Sequence, residues 1–188
     1  MKKNRFDNRC FSLAEAVISV AVVIFILVAF LVIYSNYNKF FNLQQNEIAL
    51  GNSGREAVKE LQNAALQADK ILASQTVSGT TYTTGAHTVV LEIPSIDGSG
   101  NIVSGKDDYA VFYLTGKSFY RRIQADAASS RHSGSNKISD SVSALTLTYD
   151  NANLAQAKKI DADVQMQMTM NKQTASYHLR QEIYLRNK

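Results

Sequence analysis

An α+β fold, with one long N-terminal helix packed on an antiparallel β-sheet head, is predicted by three features of this 188-residue chain. A nineteen-residue uncharged run extends from Ala16 to Tyr34. Behind it, apolar residues recur at helical spacing as far as Leu72. From Ser74 the composition turns to Thr, Ser and Gly, and the apolar period becomes two.

The run is long enough to cross a bilayer, since about 18 or more apolar residues at roughly 1.5 Å each span the hydrocarbon core. Fourteen of its nineteen residues are Val, Ile, Leu or Phe. At about −0.3 to −0.6 kcal/mol each, they contribute on the order of −4 to −8 kcal/mol to insertion. The single carboxylate at its mouth, Glu15, costs at most roughly +3 kcal/mol even at mid-membrane, so the span is favoured. Lys2, Lys3, Arg5 and Arg9 precede it against Asp7 alone, which predicts a cytoplasmic N-terminus and an exported remainder. A cleaved secretory signal is the alternative, but its apolar core is shorter, about 7 to 15 residues, and ends in a small-x-small site. Here the run continues into Tyr34-Ser35-Asn36-Tyr37-Asn38-Lys39-Phe40-Phe41. A lipoprotein signal needs its apolar segment before the cysteine, and the run follows Cys10.

Composition agrees with a tethered, exported protein. Four of the twenty basic residues and one of the sixteen acidic ones lie in the first ten positions, so the net charge of +4 is mostly a property of the leader. The basic balance therefore gives little support to a nucleic-acid partner. Cys10 is the only cysteine, which leaves no disulfide framework and no thiolate metal site.

Leu43, Leu50, Val58, Leu61, Ala65, Ala68 and Leu72 extend the helical pattern, predicting one helix from about Ser12 to Leu72. Gly51 and Gly54 each weaken it by roughly 1 kcal/mol relative to alanine. They mark a bend, a close approach to a neighbour, or two tolerated glycines. The resulting division is a basic leader at 1–10, a transmembrane helix at 11–35, its amphipathic continuation at 36–75 and a β-rich head at 76–188.

Within the head, Thr88 to Ile93 reads as a strand ended by Pro94, and Asp97-Gly98-Ser99-Gly100-Asn101 as a turn. Tyr109 to Leu114 and Phe119 to Ile123 form a hairpin through Thr115-Gly116-Lys117-Ser118. Asp126 to Lys137 reads as a solvated loop. Val142 to Tyr149 and Ile160 to Met170 alternate cleanly, and Tyr177, Leu179, Ile183 and Leu185 supply a last strand. Alternation of this kind marks antiparallel strands with one solvated face, the other being covered by the helix.

The segment Phe11-Ser12-Leu13-Ala14-Glu15 resembles the leader junction of type IV pilins and type II secretion pseudopilins, usually Phe-Thr-Leu-Ile-Glu. Tyr120-Arg121-Arg122 and the ending Tyr184-Leu185-Arg186-Asn187 more loosely resemble minor pilins and the J-type minor pseudopilin. The resemblance implies cleavage between Cys10 and Phe11 by a prepilin peptidase and N-methylation of Phe11. It also implies insertion at an inner-membrane assembly platform, and a structural role among other pilins or pseudopilins in a periplasmic or extracellular filament. Glu15 would set subunit register by meeting the freed ammonium of Phe11 on an adjacent subunit, because a carboxylate in an apolar helix is unfavourable without a positive partner. The simpler account is a glutamate that snorkels to the lipid headgroups. Cys10 stands where the family has glycine, so slow or partial processing is expected.

Other functions have thinner support. His87, His132 and His178 are isolated, and no zinc-protease pair, nucleophile elbow or phosphate loop is present, so neither an enzyme nor a cofactor is expected. Met166, Met168 and Met170 sit at period two, as core strand residues do. Asp97 and Asn101, with Asp107 and Asp108, offer oxygens to calcium but lack the full spacing of a calcium loop, and a plain turn is the simpler reading. Arg121, Arg122, Arg131, His132 and Lys137 near Tyr120 would suit DNA only with interleaved aromatics, which the sequence does not clearly supply. The rival to a filament subunit is a signal-anchored extracytoplasmic binding or sensor domain that never polymerises.

Overall fold

The computed structural model describes residues 12–170 and 173–186. They fall into two compact units, one up to Asn42 and one from Leu43 onward. A helix packed on antiparallel sheets gives the α+β class expected.

Helix α1 runs from Leu13 to Ala65. In the first unit it is the only regular element among the described residues, and every large apolar side chain from Leu13 to Phe41 is exposed. In the second unit, Leu50, Gly51, Gly54, Ala57, Val58, Leu61 and Ala65 form a buried face. The expected stripe is present, but the helix stops seven residues before Leu72. Its last i to i−4 bond is Leu66 N–H to Gln62 O at 2.9 Å, after which Gln67 and Ala68 close tighter turns onto Ala64 and Ala65. Ala68 is buried beyond the helix end, and Lys70–Leu72 forms strand β1 against Glu92, Leu91 and Val90. Ala68 and Leu72 keep helical spacing, yet pairing with a distant strand satisfies the backbone there and buries Ile71 completely.

The head contains β2 (Ser74–Val77), β3 (Thr80–Thr83), β4 (Thr88–Ile96), β5 (Ile102–Thr115), β6 (Ser118–Gln124) and β7 (Gly134–Ser139). After these come β8 (Val142–Tyr149), a short 3-10 turn at Leu154–Gln156, β9 (Lys159–Met170) and β10 (Gln173–Tyr184). Strand order is β1-β4-β5-β6-β7 in a five-stranded sheet and β10-β9-β8 in a three-stranded one, all antiparallel, with β2-β3 as a separate hairpin. The β5-β6 turn has Gly116 at φ +61°, the left-handed backbone a two-residue hairpin needs at its first central position.

One core joins the helix to both sheets. Leu50, Val58 and Leu61 meet Leu91 and Phe112 of the larger sheet and Leu145, Ile160, Val164 and Met166 of the smaller one. At the junction, Leu147 N–H donates to Ala86 O at 2.8 Å and His87 Nδ1 lies 2.6 Å from Leu145 O. Met166 is a core residue, as its period-two position predicts, and Met168 packs against the core, whereas Met170 is exposed.

Three strand readings need correction. Val89, Val90 and Leu91 are all fully buried, so β4 has no solvated face there; Val77 and Tyr82 of the β2-β3 hairpin cover Val90 and Val111 from the far side. Pro94 lies inside β4 rather than ending it. The carbonyls of Glu92, Pro94 and Ile96 all point away from β5, and β1 pairs no further than Glu92, so the missing Pro94 N–H falls on an unpaired edge. Finally, the stretch from Asp126 to Lys137 is mostly exposed, as expected, but it is not a free loop. It begins with a strap across β4 and β5 and continues into β7.

Candidate functional site

The residues singled out at the N-terminus are only partly within the described structure. Cys10 and Phe11, the expected cleavage pair, lie outside the described residues. Glu15 lies within them, in the first turn of α1. Ser12 N–H donates to Glu15 Oε2 at 2.9 Å, and Glu15 N–H donates to Ser12 Oγ at 3.2 Å. These reciprocal bonds are a capping box, the Ser-x-x-Glu pattern that satisfies two of the free N–H groups at a helix start. The pattern stands in the sequence as Ser12-Leu13-Ala14-Glu15. Ser12 Oγ also donates to Oε2, so Oε1 has no partner among the described residues. Beyond Glu15, α1 contains a stretch long and apolar enough to cross a membrane, with none of it buried in the protein.

Gly51 and Gly54 allow a close approach. A Cβ on Gly51 would stand 3.3 Å from Tyr177 Cε2, and one on Gly54 would stand 3.4 Å from Met166 Cγ and 3.5 Å from Tyr177 Cδ1. The two glycines therefore form a seat for the Tyr177 ring, and the Arg55 guanidinium lies 5.7 Å from the ring centre. Of the open readings of this pair, contact with a neighbour is the one realised.

A third site was not anticipated. Asp108, fully buried on β5, accepts from Ser95 Oγ at 2.7 Å, from Asp126 N–H at 2.8 Å and from Ser129 Oγ at 2.7 Å. Arg131 Nη1 donates to the same carboxylate at 2.7 Å and to Pro94 O at 2.6 Å. Burial works against this charge, but the bonds from Ser129, Ser95, Arg131 and the Asp126 amide outweigh it and hold its pKa below the ordinary value. The node fastens the strap over the sheet. Sequence offered one hint, an Asp within an apolar strand, where an unpaired charge is not tolerated.

Arg131 is thereby removed from the basic patch considered for DNA. Arg121 pairs with Glu60 of the helix, and Lys137 lies 3.2 Å from Asp140. Arg122 points to the opposite face of the sheet from Arg121, 5.8 Å from the Tyr82 ring centre. Tyr82, Tyr113 and Tyr120 do form a row, but against one another: Tyr113 and Tyr120 stack with ring centres 5.3 Å apart, and Tyr82 lies tilted against Tyr113 at 5.0 Å.

The calcium-loop residues are also dispersed. Asp97 accepts from the amides of Ser99 and Asn101, both at 2.9 Å, and these bonds hold its pKa low. Its oxygens close their own turn, while Asp108 is held by Arg131. Among the described residues no three His, Cys, Asp or Glu side chains converge as a metal site would require. His178 Nε2 lies 2.8 Å from Asp163 Oδ1 on an exposed strand face, and His87 is spent on Leu145. In the C-terminal Tyr-Leu-Arg-Asn run, Leu185 is buried and Arg186 N–H donates to Ala65 O at the helix end; Asn187 lies outside the described residues. No protein-family model matches the chain, and no curated protein matches it either.

Proposed function

We propose that this chain is a minor pilin or pseudopilin, a structural subunit that initiates or caps a type IV pilus-like filament after removal of its leader. The observation that carries the reading is the division of labour along α1. Residues 50–65 bury one face on the head, while the segment from Leu13 to Phe41 exposes apolar side chains all round, as a helix does when lipid or other helices are its surroundings. The N-terminus would remain cytoplasmic until cleavage, with the head outside, and the freed ammonium of Phe11 on one subunit would reach the open Oε1 of Glu15 on another.

The capping box favours a second reading, a signal-anchored extracytoplasmic domain that does not polymerise, because Glu15 then has a sufficient role within its own helix. Glu15→Gln separates the two. Its amide oxygen keeps the Ser12 bond while the charge is lost. The filament reading predicts normal membrane insertion with loss of recovery in complexes with other subunits. Recovery equal to the unaltered chain would reject the register role of Glu15.

A further inference from the structure

We propose that the two-turn segment of α1 from Tyr34 to Phe41 is an interfacial lipid anchor that fixes the depth of the helix in a phospholipid bilayer. The proposal rests on the membrane-span reading and adds its outer boundary. Tyr34, Tyr37, Phe40 and Phe41 are 57, 61, 58 and 46% exposed, and the ring contact among them, Tyr37 with Phe41 at 6.3 Å, lies within the same helix. Four large rings in eight residues are not placed for water, and two of them have no polar tip. They are interleaved with Ser35, Asn36, Asn38 and Lys39, which are not placed for hydrocarbon. Aromatic rings mixed with polar groups suit the headgroup layer, where rings bury beside the acyl chains and hydroxyls, amides and an ammonium stay wet.

The position along the helix agrees. The run from Ala16 to Tyr34 is about 28 Å long at roughly 1.5 Å per residue, close to the ~30 Å hydrocarbon thickness. With that run centred on Phe25, Tyr34 lies just inside the hydrocarbon edge and Tyr37 and Phe40 stand roughly 3 to 8 Å beyond it, within or at the rim of the headgroup layer. At the opposite end the Ser12–Glu15 cap marks the other boundary with exposed polar groups. Lys39 is the first cation after the run, and its ammonium can reach lipid phosphate while its stem stays beside the rings.

The chain contains no tryptophan, so a single introduced indole reports its own surroundings. Phe25→Trp and Tyr37→Trp are placed in the full chain and reconstituted into phosphatidylcholine vesicles at high lipid excess. Quenching is compared between lipids brominated near the acyl-chain end and lipids brominated next to the headgroup. Phe25→Trp should be quenched about twofold more strongly by the deep label, and Tyr37→Trp should show the reverse preference. Suppose instead that Phe25→Trp reads deep while Tyr37→Trp is reached by aqueous iodide; the segment then stands in water, and the anchor is wrong while the span survives. Shielding of Tyr37→Trp from both lipid labels and from iodide would place it against protein, and also overturns the proposal. Loss of deep quenching at Phe25→Trp would remove the span itself.

Discussion

The two stretches of helix α1 are both rich in apolar residues and differ in what surrounds them. From Leu13 to Phe41 no large apolar side chain is covered by protein, although nearly every position is Val, Ile, Leu, Phe or Ala until Tyr34. From Leu50 to Ala65 the apolar residues are fewer, smaller and confined to one face, yet that face is almost wholly buried. Hydrophobicity alone therefore does not mark the core of this protein. Uniform apolarity marks the half that takes its surroundings from outside, and periodic apolarity, broken by glycines, marks the half that folds against its own sheets.

The sharpest way to break this comparison is to put a charge in each half. Ile26→Arg, in the middle of the run, should cost insertion about 3 to 4 kcal/mol while leaving the head's unfolding midpoint unchanged. Membrane partitioning and a urea melt of the same variant check both parts. In the head, Asp108→Asn should cost about 3 kcal/mol, because Arg131 keeps its buried charge and loses the partner for it. Insertion should be untouched.

The Asp108 node also predicts a pH dependence with a definite sign. Its folded pKa is depressed, so its contribution is fully present above the unfolded carboxylate value of about 3.9 and is lost as pH falls through the folded value. Melting temperature should drop on acidification below about pH 4, and Asp108→Asn should remove that part of the slope.

Smaller effects test the glycine seat and the helix start. Gly51→Leu should destabilise the head by about 2 kcal/mol through overpacking against Tyr177. Gly51→Ala should be nearly neutral, since a gain of about 1 kcal/mol in helix propensity offsets the displacement of the ring by a few tenths of an ångström. Ser12→Ala should fray the first turn at a cost of about 1 kcal/mol, seen as faster amide exchange there and nowhere else.

The fold class was legible because both halves of the helix and the strands β8 to β10 carry their period in plain sight. Leu145, Leu147, Ile160, Ala162 and Val164 point where alternation puts them. The helix end was not legible: Ala68 and Leu72 continue the helical spacing, and only the pairing of Lys70–Leu72 with residues twenty positions onward decides against it. Pro94 misled for a related reason, since whether a proline ends a strand depends on which side its missing N–H faces. The stretch from Asp126 to Lys137 is mostly exposed, as its polar composition indicates, but its attachment to Asp108 and to the edge of β4 depends on residues distant in sequence and could not be read there. Of the candidate site, the Ser12–Glu15 cap was available from sequence by spacing. The Asp108–Arg131 pair, twenty-three positions apart, was not.

The proposed function requires that the leader be removed so that Phe11 becomes the N-terminus, whatever rate Cys10 imposes. Mass spectrometry of the N-terminal peptide from the native membrane fraction tests this directly. The account predicts a chain that begins at N-methylated Phe11; a population retaining Met1, with no processed form, would contradict it and leave the signal-anchored domain as the reading.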